Sequence, residues 1–217
     1  MNTINVEIWS DVVCPWCYIG KRRFESALAR FEHRDQVDVL WRSFELDTRA
    51  PRQFEGTADE RLAKKYGIGI AQAAALHDRV TAQAAQEGLE YHFDIAQYGN
   101  TFDAHRLIHF AADHGLQDAM KERLLRAYFT EGESISSIDA LAKLAGEVGL
   151  DIEAARAALE GGLFSGEVRA DEEEAVKLGI TGVPFFAVNR QYGISGAQPP
   201  KMFLDTLEKA WSDSNAG

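Results

Sequence analysis

A strand-forming stretch, Ile4 to Trp9, runs almost directly into Cys14-Pro15-Trp16-Cys17 and then into a helically spaced segment that reaches about Phe31. These are the only two cysteines among 217 residues. A bridge across two intervening residues closes almost no loop in the unfolded chain, so it would add little stability. The spacing therefore points to chemistry. Pro15 suits the first helical position, where its missing N–H would be unpaired anyway, and this makes Cys14 the helix N-cap. The first backbone N–H groups and the helix dipole are then expected to lower the pKa of Cys14, while Cys17, one turn further in, stays more buried and less ionised. Spacing of i to i+3 puts both sulfurs on one helical side.

The rest of the chain is read around this centre. Behind the cysteines Tyr18, Phe24, Leu28 and Phe31 form an apolar face, and Lys21, Arg22, Arg23, Glu25 and Arg30 form the wet one. A second strand, Val37 to Phe44, completes a βαβ unit, which is right-handed by rule. From Asp47 to about Phe164 no strand is expected. Helices are read at Ala58 to Tyr66, Ile70 to Glu87, Phe102 to His114, Leu116 to Thr130, Ile138 to Val148 and Ile152 to Leu159. Ser137 and Asp151 serve as N-caps, and Gly67, Gly88, Gly115 and Gly149 as stops. A helix from Ser165 to Leu178, strands at Phe185 to Asn189 and Tyr192 to Ser195, and a last helix from Pro200 to Ser212 follow; the tight turn between the strands makes them antiparallel. The fold class is α/β, with 1–46 and 165–217 forming one unit and 47–164 an inserted helical subdomain.

Composition removes some functions. The net charge of -11 works against binding a phosphate backbone. No apolar run approaches the roughly 20 residues of a membrane span, and the amino-terminus shows no secretory pattern, so a cytoplasmic location is expected. A zinc site would need histidines to join the cysteines. His105 and His109, at i and i+4 with His114 beyond, offer that geometry, but helix packing produces such pairs by chance and no metal is expected. A metal- or partner-binding module stays as an alternative. The run Asp171-Glu172-Glu173-Glu174 reads as a solvated helix face.

Three segments carry a resemblance: Ser10 to Lys21 (SDVVCPWCYIGK), Asn100 to Arg106 (NTFDAHR) and Thr181 to Phe186 (TGVPFF). Together they resemble the DsbA family of thiol-disulfide oxidoreductases, specifically its FrnE-like branch, over essentially the whole chain. The resemblance implies a thioredoxin-like fold, a central mixed sheet with βαβ and ββα halves, interrupted by an all-helical insertion. It implies a redox centre in which the Cys14 thiolate exchanges disulfides with protein or small-molecule substrates and Cys17 resolves the mixed disulfide. No cofactor is implied beyond the dithiol, with glutathione as a candidate thiol partner. Pro184 is implied to be cis and to stand beside Cys14, with the Val183 backbone pairing to an extended substrate and Pro15 and Trp16 flanking it. Asn100, Thr101 and His105 are implied to line the active-site groove, although Asn100 or Thr101 also reads as an N-cap.

Asp11 is placed either to relay a proton to the inner thiol or as a solvated turn residue. Lys21 either favours a thiolate one turn away or sits on an exposed helix face. The chain departs from periplasmic relatives, which carry a signal peptide and Pro-His between the cysteines. Glutathione-dependent isomerases and transferases, of the 2-hydroxychromene-2-carboxylate isomerase and kappa types, share the architecture but generally have serine where Cys14 stands; both cysteines here favour disulfide exchange.

Overall fold

A computed structural model describes residues 3–215. Met1 and Asn2, which enter the reading of the amino-terminus, lie outside the described residues, as do Ala216 and Gly217 in the last unit. Strand β1 (Ile4–Ser10) is the hub of a four-stranded sheet of order β2-β1-β3-β4. It pairs in parallel with β2 (Val37–Ser43) and antiparallel with β3 (Phe185–Val188), which in turn pairs antiparallel with β4 (Tyr192–Ser195). Six of the seven β1 residues, all but Asn5, are buried, because helices cover both faces of this central strand. Helix α1 (Pro15–Leu28) makes the βαβ crossover, and α9 (Pro200–Asn215) packs beside it on the same side of the sheet.

Between β2 and β3 lie helices α2 (Ala58–Tyr66), α3 (Ile70–Gln86), α4 (Phe102–Ala112), α5 (Gln117–Arg126), α6 (Ile138–Glu147), α7 (Ile152–Glu160) and α8 (Ser165–Lys177). The N-caps Ser137 and Asp151 accept from Ala140 and Ala154, as their side chains allow. The segment expected as one helix from Leu116 to Thr130 changes winding: α5 passes into a π turn, Ala127–Glu131. This turn buries both Tyr128 and Phe129, and Phe129 stacks on Tyr91 at 4.4 Å between ring centroids. One apolar cluster runs without a break from Ile4, Val6 and Ile8 of the sheet to Leu107, Leu124 and Leu144 of the intervening helices. Sheet and helical segment thus share a core.

Several charges expected in solvent are inside. Asp171, read as part of a solvated acidic face, is buried on α8; its carboxylate accepts from Ser43 N–H at 2.8 Å and Arg42 at 2.9 Å. Glu174 pairs with Arg190 instead of standing free. Lys21 is only 2% exposed, and its ammonium is ringed by Glu25, Asp118 and Glu122. It is neither an exposed face residue nor a partner for a thiolate. Its sequence neighbours explain this, since position 21 falls on the same stripe as Tyr18 and Phe24. No described helix is long and apolar enough to cross a membrane.

Candidate active site

Cys14 occupies the N-cap of α1, with extended backbone at φ -91°, and Pro15 fills the first helical position. Cys14 is 4% exposed and Cys17 1%, and both are free thiols. The Cys14 thiol donates to the Val183 carbonyl at 3.5 Å. The Val183–Pro184 peptide is cis. Two distant segments thus meet at the outer sulfur: the helix start and the loop before β3. Gly20 makes the meeting possible. A Cβ at that position would lie 2.9 Å from Pro184 Cγ, closer than real contacts allow, so α1 and the proline loop can approach only over a glycine.

The electrostatics differ from what the helix N-terminus alone implies. The Cys14 pKa is raised, because its S–H is hydrogen-bonded to Cys17, burial disfavours its ionised form and a Cys17 charge would lie alongside. The Val183 carbonyl, at 3.5 Å, is the alternative acceptor for the same proton. The Cys17 N–H pulls the other way and is outweighed. For Cys17, burial would raise the pKa. The Cys14 hydrogen bond, the Lys121 charge, the Ser10 hydroxyl and the Asp11 backbone overcome it and bring the pKa below the ordinary thiol value. The two thiols therefore titrate as a coupled pair, in which the Cys14 hydrogen bond and the Lys121 charge favour ionisation of the inner sulfur. The thiol–thiol hydrogen bond and a buried cation thus act alongside the first-turn N–H groups that the N-cap position supplies.

That cation is Lys121, on α5, which sequence reading passed over. It is 1% exposed, its ammonium donates to the Ser10 carbonyl at 3.3 Å, and burial lowers its pKa to about 8, partly opposed by Cys17 and Asp11. Its signal was positional, since residue 121 falls on the buried stripe of Gln117, Met120, Leu124 and Leu125. Ser10 is equally buried; its Oγ has no hydrogen-bond partner within ordinary distance but faces Cys17 closely enough to favour the thiolate. Asp11 proves to be fully buried. One carboxylate oxygen accepts from Leu46 N–H at 2.8 Å and the other from its neighbour Val12 N–H at 2.7 Å and from His105 Nε2 at 3.2 Å. Burial would raise its pKa, but these donors and Lys121 hold it below the usual carboxylate value. Burial also lowers the His105 pKa. The pair is therefore a carboxylate and a neutral imidazole with the proton on Nε2.

The remaining expected residues sort by place. His105 supports the site from beneath, through Asp11. Asn100 caps α4, its Oδ1 accepting from Phe102 N–H at 2.9 Å, and also reaches Glu45 at 3.3 Å; Thr101, buried at the N-cap position, makes no side-chain capping bond. His109 bonds Ser43 and Asp171, and His114 bonds the Phe110 carbonyl, so these histidines and His105 have separate partners. Among the described residues no group of three or more His, Cys, Asp or Glu side chains is placed to hold a metal ion. Trp16 is 43% exposed beside Cys14, and Pro15 is held by Tyr91, whose hydroxyl donates to its carbonyl at 2.7 Å. A groove of about 870 Å³ opens here, with Cys14, Trp16 and Val183 at one end and side chains of α2 and α3 along its walls.

A sequence profile of the DSBA-like thioredoxin domain matches residues 5–208. The chain is 32% identical to the protein YwbO of Bacillus subtilis (strain 168) over 213 residues, 97% of each. It is also similar to the crystal structure of "probable DsbA oxidoreductase SCO1869" from Streptomyces coelicolor, with 47% identity and a TM-score of 0.91 over 96% of this chain and 90% of that one. The fold alone is shared with the cytosolic disulfide reductase DsbM from Pseudomonas aeruginosa, at 21% identity and a TM-score of 0.63 over 96% and 98% of the two chains. Profile, relatives and thioredoxin-like topology agree: the chain belongs to the DsbA-like thioredoxin family.

Proposed function

We propose that this protein exchanges disulfides with protein or small-molecule thiol substrates through Cys14 and Cys17, with Cys14 as the nucleophile and Cys17 as the resolving thiol. The observation that carries the reading is the contact of the groove-facing Cys14 sulfur with the backbone of the cis-Pro184 loop, above a Cys17 whose ionisation a buried lysine favours. Cys14 lines the groove and Cys17 does not, so a substrate sulfur reaches Cys14. The pair shares a proton, and its passage from Cys14 to Cys17 frees the outer sulfur for attack. The Cys14 thiolate then forms a mixed disulfide and expels the substrate's other sulfur. Cys17 loses its proton again, beside Lys121, and attacks Cys14, closing the internal disulfide and releasing the substrate as a thiol. Each full passage moves two electrons from the dithiol to the substrate, and the reverse sequence returns them.

Val183 and Pro184 are assigned to substrate binding, together with Pro15 and Trp16; Asp11 and His105 position the inner half of the site. Glutathione fits as a small thiol partner, and DsbM has been crystallised with GSH. The 2-hydroxychromene-2-carboxylate isomerase fold is also similar, with a TM-score of 0.68 at 12% identity, but a second thiol with its own supporting cation serves disulfide exchange directly. Replacing Cys14 by Ser tests the assignment. Loss of insulin reduction and of oxidative refolding of a reduced protein is expected. Retained activity, or activity dependent on glutathione alone, refutes it.

A further inference from the structure

The groove beside Cys14 is charged in the opposite sense to the chain. The protein has 34 acidic against 23 basic residues, yet no Asp or Glu lines this groove, whereas Arg61 and Lys65 of α2 and Arg79 of α3 do. Most of the chain's basic side chains are ion-paired. These three have no carboxylate within 4.0 Å among the described residues. Arg61 lies with its guanidinium 3.6 Å from the Tyr98 ring centroid, and its buried Nε has no hydrogen-bond partner. The walls between the cations are apolar and partly bare: Trp16, Tyr66 and Leu76 are 43%, 61% and 40% exposed. Unpaired cations beside exposed aromatic and aliphatic side chains form a surface that a carboxylate and a large apolar group can cover together. At about 870 Å³ the groove lies near the upper end of volumes that hold drug-sized ligands, which leaves room for several residues of a polypeptide.

Resting on the exchange chemistry above, we propose that the preferred substrates are polypeptide disulfides whose reacting cysteine is flanked by a carboxylate and a bulky apolar side chain, selected by Arg61, Lys65 and Arg79. The apolar group packs between Trp16, Tyr66 and Leu76, and the carboxylate meets the cations. In the test reaction the Cys14 thiolate attacks the peptide sulfur of a peptide–thiopyridine disulfide. A Cys14–peptide disulfide forms and pyridinethione leaves with a proton. Cys17 then displaces the peptide thiol, so the protein is oxidised by two electrons and the starting disulfide becomes two thiols.

The experiment measures single-turnover rates of the reduced protein with three peptides that carry Leu plus Glu, Gln or Lys beside cysteine, a Ser-plus-Glu peptide, and glutathione disulfide. The Glu peptide is expected to react about tenfold faster than the Lys peptide at low salt, and added salt shrinks the ratio. The variant K65Q/R79Q, altered only at side chains without ion-pair partners among the described residues, is expected to cut the Glu-over-Lys preference roughly two- to fivefold per cation. Equal rates for the Glu and Lys peptides, or a preference that survives K65Q/R79Q, overturn the selection by charge. A Ser peptide as fast as the Leu peptide overturns the apolar contact, and glutathione disulfide as fast as the Glu peptide overturns the polypeptide assignment. Failure of every disulfide to oxidise the protein would instead sink the exchange reading itself.

Discussion

Replacing Lys121 by Met removes the cation that favours the Cys17 thiolate and leaves a side chain of similar length in a fully buried position. Opposite unit charges about 5 Å apart at an effective dielectric of about 20 attract by roughly 3 kcal/mol. Lys121 divides this attraction between Cys17 and Asp11, so about half, or ~1.5 kcal/mol, should be lost from the Cys17 thiolate, a factor of about ten in its population near neutral pH. Because the thiolate exists only in the reduced protein, the same loss destabilises the dithiol and shifts the potential by about 30 mV in the reducing direction. The assays are ultraviolet thiolate absorbance against pH and equilibration with glutathione buffers. K121R, which keeps the charge, should preserve most of both, although its planar head fits the site less well. The fold should persist in K121M, because an apolar residue replaces a costly buried charge; circular dichroism and melting check this. An unchanged thiolate titration and potential in folded K121M would refute the role given to Lys121.

Other consequences follow from single contacts. G20A drives a methyl into Pro184 and should cost about 1–3 kcal/mol, read in denaturant melts, and slow exchange with peptide disulfides; wild-type stability and rate would show that the close approach is not needed. Burial raises the Glu45 pKa to about 7, against bonds from Arg169 that lower it. The folded state therefore holds the extra proton between the unfolded value near 4.5 and about 7. This contribution to stability is full below 4.5 and disappears as pH rises through 7, so E45Q should flatten the pH dependence of stability in that window. An E45Q profile parallel to wild type would contradict the assignment. D11N should favour ionisation of Cys14 by removing a buried negative charge that opposes it but weaken the His105 contact, visible as a lower melting temperature with an altered alkylation profile.

The elements and the dithiol could be read from the sequence because their signals are local. Pro15 after Cys14 set the start of α1, and Thr57, Ser137 and Asp151 set other starts through side-chain capping of the next turn. Which charges turn inward is decided by distant partners and was read wrongly. Lys21 and Asp171 each looked solvated from neighbours in sequence, but Asp118 and Glu122 lie about a hundred positions from Lys21, and Ser43 lies 128 from Asp171. Both lysines that matter sit on apolar stripes, Lys21 with Tyr18 and Phe24 and Lys121 with Met120 and Leu124, a pattern that marks a buried charge. The cation beside the inner thiol went unread for a related reason. The first-turn N–H groups around Cys14 are visible in a local reading, whereas Lys121, 104 positions beyond Cys17, is not.

Trapping the reaction halfway tests the central claim most directly. C17S, mixed with a polypeptide disulfide and analysed by peptide mass spectrometry, should accumulate one covalent adduct per chain, joined at Cys14, while the wild-type protein passes through it to an internal Cys14–Cys17 disulfide. Absence of any adduct in C17S, together with a wild-type protein that acquires no internal disulfide, would contradict the exchange mechanism.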